Sequence, residues 1–155
     1  MNKSVLRTTT VSLVLVAVLF GSAGCSLLKP PRDAAGQLTA TATLSADQLR
    51  TGDCLLDINS TGNTVTKLTA VPCTTPHNGE VYATGIDPQA SDTTVADQFC
   101  SDRFEPYVGV SIDDTSLDVS YIYPQSSSDT SKTITCIISH ADGTQETSSL
   151  KGSQQ

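Results

Sequence analysis

The chain has 155 residues and a net charge of −7, from 16 acidic and 9 basic side chains, and its length predicts one small domain. A surface this negative disfavours nucleic acid as a partner and gives no charge attraction to anionic lipid headgroups. Tryptophan is absent and aromatic residues make up only 5% of the chain, which argues against a large aromatic core.

Residues 1–24 have the pattern of an export signal. Lys3 and Arg7 precede an apolar stretch at residues 11–20. Ten residues are too few to cross a bilayer core of about 30 Å, but they are typical of a signal peptide. Small residues then precede Cys25, as in bacterial lipoproteins, where the signal is cleaved before a cysteine that becomes acylated, for example with palmitate. We therefore expect Cys25 to anchor the chain on the outer face of the cell membrane.

One position departs from the lipoprotein pattern, because Ser22 stands where an aliphatic residue is usual. The alternative is ordinary secretion with a free thiol at Cys25. An exposed free thiol is reactive, which favours the lipidated form. Cleavage after residue 24 would remove two basic residues and no acidic one, so the net charge would change from −7 to −9.

The rest of the chain divides into three predicted parts. Residues 25–44 contain two adjacent prolines and no sustained hydrophobic period, which indicates a flexible tether. Residues 45–150 are predicted to fold, and a capping box from Ser45 to Gln48 begins them. Residues 151–155 are predicted to be a disordered tail.

Alternation with a period of two predicts strands within the folded part. The first two flank a run of Asn, Ser, Thr and Gly, which is turn chemistry, so we expect them to form a hairpin. Alternation places Val81 and Ala83 on one face of the third strand and Tyr82 on the other. The predicted strands cover residues 54–58, 65–71, 80–86, 117–123, 133–139 and, as a final edge strand, 144–150.

Over residues 92–105, apolar residues recur every three or four positions, which predicts an amphipathic helix. Ser91 or Asp92 is the candidate N-cap, and Pro106 is predicted to stop the helix. The apolar face includes Cys100, which should point at the sheet. The predicted fold is α+β: a small antiparallel sheet of five or six strands with one packed helix, held by two disulfides.

Four cysteines follow Cys25, and an even number in an exported domain predicts two disulfides. Spacing alone allows three pairings. We favour Cys54–Cys73, because both lie at the open end of the hairpin, and Cys100–Cys136, because a helix cysteine then faces a strand cysteine. A zinc site using Cys73 and His77 is the alternative, but the chain has no C-x2-C pair. We expect no metal and no cofactor.

The chain contains a series of short motifs: Gly52-Asp53-Cys54, Val71-Pro72-Cys73, Pro76-His77, Glu80-Val81, Cys100, Tyr123-Pro124 and Cys136. Their order and spacing resemble the septum formation domain of actinobacterial envelope proteins, over about residues 50–140. The loop at residues 126–132 lacks the tryptophan of that family. The resemblance implies an anchored extracytoplasmic module with four structural cysteines, and it implies no reaction.

His77 and Glu80 are the strongest candidates for chemistry, since they flank a short turn and an imidazole beside a carboxylate is how a general base is oriented. No nucleophile accompanies them, so we assign no catalytic residue. We favour a structural role, in which His77 bonds to the loop behind Cys73 and holds the third strand in register. His77, Glu80 and Tyr82 are retained as candidate ligand or partner contacts.

The function expected from the sequence is a non-enzymatic binding or scaffolding module of the bacterial cell envelope, linked to septum formation by the resemblance. Its partners would be the membrane, through Cys25, and an envelope protein or glycan, but not nucleic acid. Two alternatives remain: an envelope hydrolase that uses His77 and Glu80, and a small-ligand-binding lipoprotein.

Overall fold

A computed structural model describes residues 29–58, 67–123 and 132–155. The expected signal peptide, Cys25, the hairpin turn at 59–63 and all of the loop at 126–132 except Lys132 lie outside these ranges. The strands are β1 (Ala42–Leu44), β2 (Cys54–Leu55), β3 (Leu68–Val71), β4 (Gly79–Ile86), β5 (Leu117–Ile122) and β6 (Thr133–His140), the α-helix is α1 (Thr93–Val108), and two single 3₁₀ turns cover Ala46–Gln48 and Ile112–Asp114.

The six strands form one antiparallel sheet in the order β1-β3-β2-β4-β6-β5. This sheet, the helix and two disulfides confirm the predicted α+β fold class. The hairpin is also confirmed, since Cys54 in β2 pairs with Val71 in β3. Strand β2 pairs on its other side with β4, where Cys54 lies opposite Glu80.

Two hydrophobic clusters cover opposite faces of the sheet. In β6, Cys136 and Ile138 belong to the cluster under α1, whereas Ile137 between them belongs to the other cluster. Successive strand side chains point to opposite faces, which accounts for this division. The second cluster consists mainly of aliphatic side chains from the amino-terminal half of the described chain: Leu38, Leu44, Leu49, Leu55, Leu68, Ala70 and Val81.

An irregularity in β4 overturns the predicted alternation on that strand. The register with β6 shifts between Val81 and Ala83, as at a β-bulge. Because a bulge adds one residue to one strand, Tyr82 and Ala83 both pack in the cluster under α1, and Val81 packs in the opposite cluster. The prediction that Val81 and Ala83 share a face is therefore wrong.

Helix α1 continues past Pro106 to Val108, so the prediction that the proline stops the helix is wrong. Pro106 lacks an amide hydrogen and loses one helical bond, but Tyr107 and Val108 beyond it are buried, which favours one more turn. The helix ends at Gly109 in the left-handed conformation (φ 94°), which glycine adopts readily. No helix within the described ranges is long and apolar enough to be a membrane span.

At its start, α1 is capped as predicted. The Asp92 carboxylate accepts a hydrogen bond from the amide of Thr94 at 2.9 Å. This satisfies one of the amide donors that the first turn of a helix leaves unpaired.

The predicted tether at residues 25–44 is largely part of the fold. Within residues 29–44, Leu38 and Leu44 are buried, and β1 pairs with β3 through Ala42 and Ala70. Arg32 forms an isolated bridge with Leu38. The folded region thus begins near residue 31 rather than at 45, because scattered leucines without a helical or strand period still contribute to the core.

The carboxyl-terminal segment also differs from the prediction. Residues 144–150 form no strand beyond a single bridge between Glu146 and His77. The tail at 151–155 is bound to the helix end, since the Gly152 amide donates to the Tyr107 carbonyl at 2.8 Å. Polar residues dominate this segment, so its sequence gives no sign of the backbone bonds that fix it.

Candidate functional site

Glu80 lies at the centre of a buried hydrogen-bond cluster. Its carboxylate accepts bonds from the Tyr107 hydroxyl (2.5 Å) and the Ser149 hydroxyl (2.6 Å) at one oxygen, and from the Leu150 amide (2.6 Å) at the other. The side chain is fully buried, and no ion pair of the described residues includes it. Three neutral donors therefore take the place of a counter-ion.

The Tyr107 hydroxyl is less acidic than usual because of its buried position beside this carboxylate. Burial, and then the hydrogen bond to Glu80, raise the pKa of the Tyr107 hydroxyl well above its ordinary value. The phenol therefore stays protonated and donates its hydrogen to Glu80. The contact ties the end of α1 to the start of β4.

His77 joins two segments through both its backbone and its ring. Its amide donates to the Glu146 carbonyl at 2.9 Å, and the Glu146 amide donates back at 2.8 Å. The ring Nδ1 lies 2.8 Å from the Thr75 carbonyl, so Nδ1 carries the hydrogen. This is the expected contact with the loop behind Cys73. The other ring nitrogen, Nε2, is buried and has no hydrogen-bond partner within the described residues.

His77, Glu80 and Cys54 come together, with ligand-type atoms within 4.8 Å of one another. The sulfur of Cys54 is bonded to Cys73, and the Glu80 oxygens already accept three hydrogen bonds. The ligand-type atoms of Cys54 and Glu80 are thus engaged in other contacts, whereas Nε2 of His77 is buried without a hydrogen-bond partner among the described residues. His77 is 1% exposed and Glu80 0%, so neither reaches a substrate at the surface in this conformation.

Tyr82, the third candidate contact, is a core residue that is only 2% exposed. Its ring packs edge-on against Phe104 at 5.8 Å, and its hydroxyl donates to the Cys100 carbonyl at 2.9 Å. Burial raises the pKa of this hydroxyl above its ordinary value. Alternation from Val81 already directs Tyr82 towards the helix, and the bulge brings Ala83 to the same face.

A second buried acid, Asp53, pairs with Arg32. The two terminal nitrogens of the Arg32 guanidinium donate to the Asp53 carboxylate, at 2.6 and 2.8 Å. The side chain of Arg32 is 5% exposed and that of Asp53 is 2% exposed. This pairing raises the pKa of Arg32. Asp53 also accepts from the Arg50 amide at 2.9 Å. Arg32 lies in the segment predicted to be a flexible tether. The only sequence signals for this ion pair were the single arginine in that segment and the acidic residue before Cys54.

Both disulfides have the predicted pairing. Cys54 and Cys73 join the hairpin to the loop that follows it, with Cα atoms 5.2 Å apart. Cys100 and Cys136 join α1 to β6, with Cα atoms 5.6 Å apart. Both separations are usual for disulfides. The first bridge therefore fixes the hairpin next to Glu80, and the second fixes the helix to the sheet.

A surface groove of about 380 Å³ lies between the second half of α1 and strand β4. At its edge, Arg103 stacks on the Phe99 ring at 3.6 Å and donates to the Phe99 carbonyl at 2.8 Å. Four separate segments supply the lining, so no local sequence pattern indicated the groove. Its lining residues are Thr51, Tyr82, Ala83, Thr84, Arg103, Pro106, Tyr107 and Lys151.

The chain is similar to two mycobacterial proteins, both named “Putative lipoprotein LppN”, from Mycobacterium tuberculosis and Mycobacterium bovis. Each is 30% identical over 101 residues, which cover 61% of this chain and 58% of the relative. The match thus spans little more than half the length of these relatives. No protein-family model matches the chain, and no solved structure is a significant match. The likeness supports a lipoprotein and is consistent with a membrane-anchored location in the envelope.

Proposed function

We propose that this chain is a lipid-anchored, extracytoplasmic binding or scaffolding module of the cell envelope, held to the outer face of the membrane through Cys25. The observation that carries this proposal is the pair of disulfides, of which Cys54–Cys73 joins β2 to the loop after β3 and Cys100–Cys136 joins α1 to β6. Disulfides of this kind persist in oxidising compartments outside the cytoplasm. The export pattern before Cys25 and the likeness to lipoproteins agree with that location.

A binding role is favoured over hydrolysis by the positions of His77 and Glu80. Both are buried, the ring of His77 bonds to the chain behind Cys73, and the carboxylate of Glu80 bonds to three donors. A general base must lie within reach of the proton that it removes. These two side chains instead hold segments of the fold together.

A link to septum formation is part of the same proposal and rests on the motifs quoted above. Four of their residues have structural roles: Asp53 pairs with Arg32, Cys54 is in a disulfide, and His77 and Glu80 join β4 to the carboxyl-terminal segment. Motifs that build a fold can mark a family of modules without an active site. The septal role itself then depends on a partner that the module recruits or contacts.

Fractionation of cells that express the tagged chain tests the anchor. We expect the chain in the membrane fraction and sensitive to protease added outside the cells, whereas Cys25→Ala should be released to the medium or retain its leader. A reducing-agent shift in gel mobility should accompany the exported form only. Cytoplasmic recovery of the unaltered chain with free thiols would overturn the proposal.

Imaging tests the septal role separately, with a fluorophore that matures outside the membrane. Enrichment at division sites supports it, and Cys25→Ala should abolish that enrichment. An even membrane signal in dividing cells would reject the septal role and leave the anchored module intact. Glu80→Gln is not a suitable probe of catalysis here, because it would weaken the fold itself.

A further inference from the structure

The groove between α1 and β4 has the size and lining of a small-ligand site. Its volume of about 380 Å³ lies within the range of roughly 300–1,000 Å³ that is usual for ligand pockets. Tyr82, Ala83 and Tyr107 are buried and form its inner wall, and Pro106 adds an exposed apolar surface. Thr51 and Thr84 supply hydroxyl groups. The lining thus combines four apolar or aromatic side chains with two threonines and two cations.

The charge of the groove is opposite to that of the molecule. Arg103 and Lys151 line it, and no acidic residue does. The ion pairs of the described residues are Arg32–Asp53 and His140–Glu146, so neither cation is paired. In a chain with 16 acidic and only 9 basic residues, two unpaired cations beside one groove form a local site for an anion.

Arg103 is also held in position before any ligand arrives. Its guanidinium stacks on the Phe99 ring and donates one hydrogen bond to the Phe99 carbonyl, which leaves other donors of the planar group unused. A guanidinium presents donors in a fork that matches a carboxylate, whereas Lys151 contributes a mobile point charge. A preorganised cation loses less entropy on binding.

We propose that this groove binds a carboxylated sugar, with the carboxylate between Arg103 and Lys151, the ring over the apolar wall and ring hydroxyls towards Thr51 and Thr84. The inference rests on the proposed binding function and names its ligand class. A sugar acid is favoured over an acidic peptide because the groove is small, about 380 Å³, and its lining combines two hydroxyl groups and apolar side chains with a single pair of cations.

The test uses the full chain, purified in a detergent without a sugar headgroup, and titrates it with N-acetylmuramic acid and with N-acetylglucosamine. These sugars share the ring and the acetamido group, and only the first has a carboxylate. Saturation-transfer NMR and calorimetry should show the acid binding about tenfold more tightly, which corresponds to about 1.4 kcal/mol. Raising the salt concentration should weaken that binding.

Substitutions of the two cations test whether the sugar binds in this groove. Arg103→Gln and Lys151→Gln should each weaken binding of the acid by about three- to tenfold, as expected for a charge-assisted contact at a partly exposed site. Lys67→Gln is the matched control, since it removes the same charge from a lysine outside the groove, and it should have no effect. Unfolding curves of all three variants should show that each is folded.

Three results would each overturn the inference: equal affinity for the two sugars, unchanged affinity in both Arg103→Gln and Lys151→Gln, or tighter binding of an acidic peptide at the same groove. The measurement is made in solution and does not depend on where the chain resides. Failure here therefore leaves the anchored module untouched, and failure of the anchor leaves the sugar site untouched.

Discussion

Asp53 and Glu80 are two buried carboxylates that the fold satisfies in different ways. Asp53 faces a guanidinium across 21 positions of sequence, and Glu80 faces two hydroxyl groups and a backbone amide. An isolated buried charge is costly, so removing a partner from either acid should cost more than the contact itself is worth. These residues are where single substitutions should have their largest effects.

Arg32→Met should lower the free energy of unfolding by about 3–5 kcal/mol, because it leaves the carboxylate of Asp53 buried without a counter-ion. Chemical denaturation of the purified chain measures this change. Arg50→Met is the matched control, since Arg50 contacts Asp53 only through its backbone amide.

Neutralising the acid should recover part of that loss. Arg32→Met combined with Asp53→Asn keeps an oxygen that can accept from the Arg50 amide but removes the unpaired charge. We expect the double variant to be more stable than Arg32→Met alone. Strictly additive losses would show that the two side chains do not interact.

The buried tyrosines predict a loss of stability at alkaline pH. The pKa values of Tyr82 and Tyr107 are raised in the folded state, so above about pH 10 the unfolded chain releases protons that the folded chain retains. Stability is fully present below pH 10 and falls as the pH rises, by up to about 1.4 kcal/mol per pH unit for each tyrosine.

Denaturation curves at several values between pH 8 and 12 measure this slope. Tyr107→Phe should be less stable at neutral pH, since it loses the bond to Glu80, and should show a shallower alkaline slope. An unchanged slope in Tyr82→Phe and in Tyr107→Phe would mean that other groups cause the alkaline loss.

At the scale of elements, the segment after β6, residues 141–155, links the helix to the start of β4, and we call it the clasp. It has no regular secondary structure, yet it bonds to His77 through Glu146, to Glu80 through Ser149 and Leu150, and to the end of α1 through Gly152. These bonds connect the strand that carries the motif residues with the helix. The groove-lining Lys151 is placed by the same clasp.

Deleting residues 149–155 should therefore destabilise the fold by several kcal/mol, because Glu80 would keep only Tyr107 as a donor. The expected readouts are a lower melting temperature and faster proteolysis. Removing only Gln155 is the control, since that residue contributes one carbonyl contact to Thr115. Similar melting temperatures for the two truncations would show that the clasp contributes little.

The elements that could be predicted were those with a strong local pattern. The period of α1, the capping residue Asp92 and the β2–β3 hairpin all depend on near neighbours, and the hairpin then led to the Cys54–Cys73 pairing. The bulge at Val81 and Ala83 could not be predicted, because it depends on which side of the sheet the helix covers.

The candidate site was predictable only as a set of residues. His77 and Glu80 were identified from their spacing, but their burial depends on the clasp, whose polar sequence has no recognisable period. The pair of Arg32 and Asp53 and the groove beside Arg103 bring together distant segments. Contacts of that kind become apparent only when the packing is known.

For the whole molecule, one disulfide fixes the β2–β3 hairpin and the other fixes α1 to β6. In the chain-entropy account, loops of 19 and 36 residues contribute roughly 3 and nearly 4 kcal/mol. Such amounts are comparable to the net stability of a small domain, about 5–15 kcal/mol.

Replacing all four paired cysteines by alanine should therefore leave the chain largely unfolded at 37 °C, as measured by circular dichroism and amide hydrogen exchange. Each single-pair variant should retain the fold with a lower melting temperature. A fully folded four-alanine variant would show that hydrophobic packing is sufficient for the fold.

The early start of the folded region limits how far the module can stand from a membrane. Arg32 is fixed to Asp53, and only seven residue steps separate it from Cys25. At 3.3–3.6 Å per residue, even a fully stretched chain reaches roughly 25 Å. If Cys25 bears the lipid, as proposed, the domain is held within about its own width of the bilayer surface. It would then work on ligands in the layer directly above the headgroups and could not reach across to distant parts of the envelope.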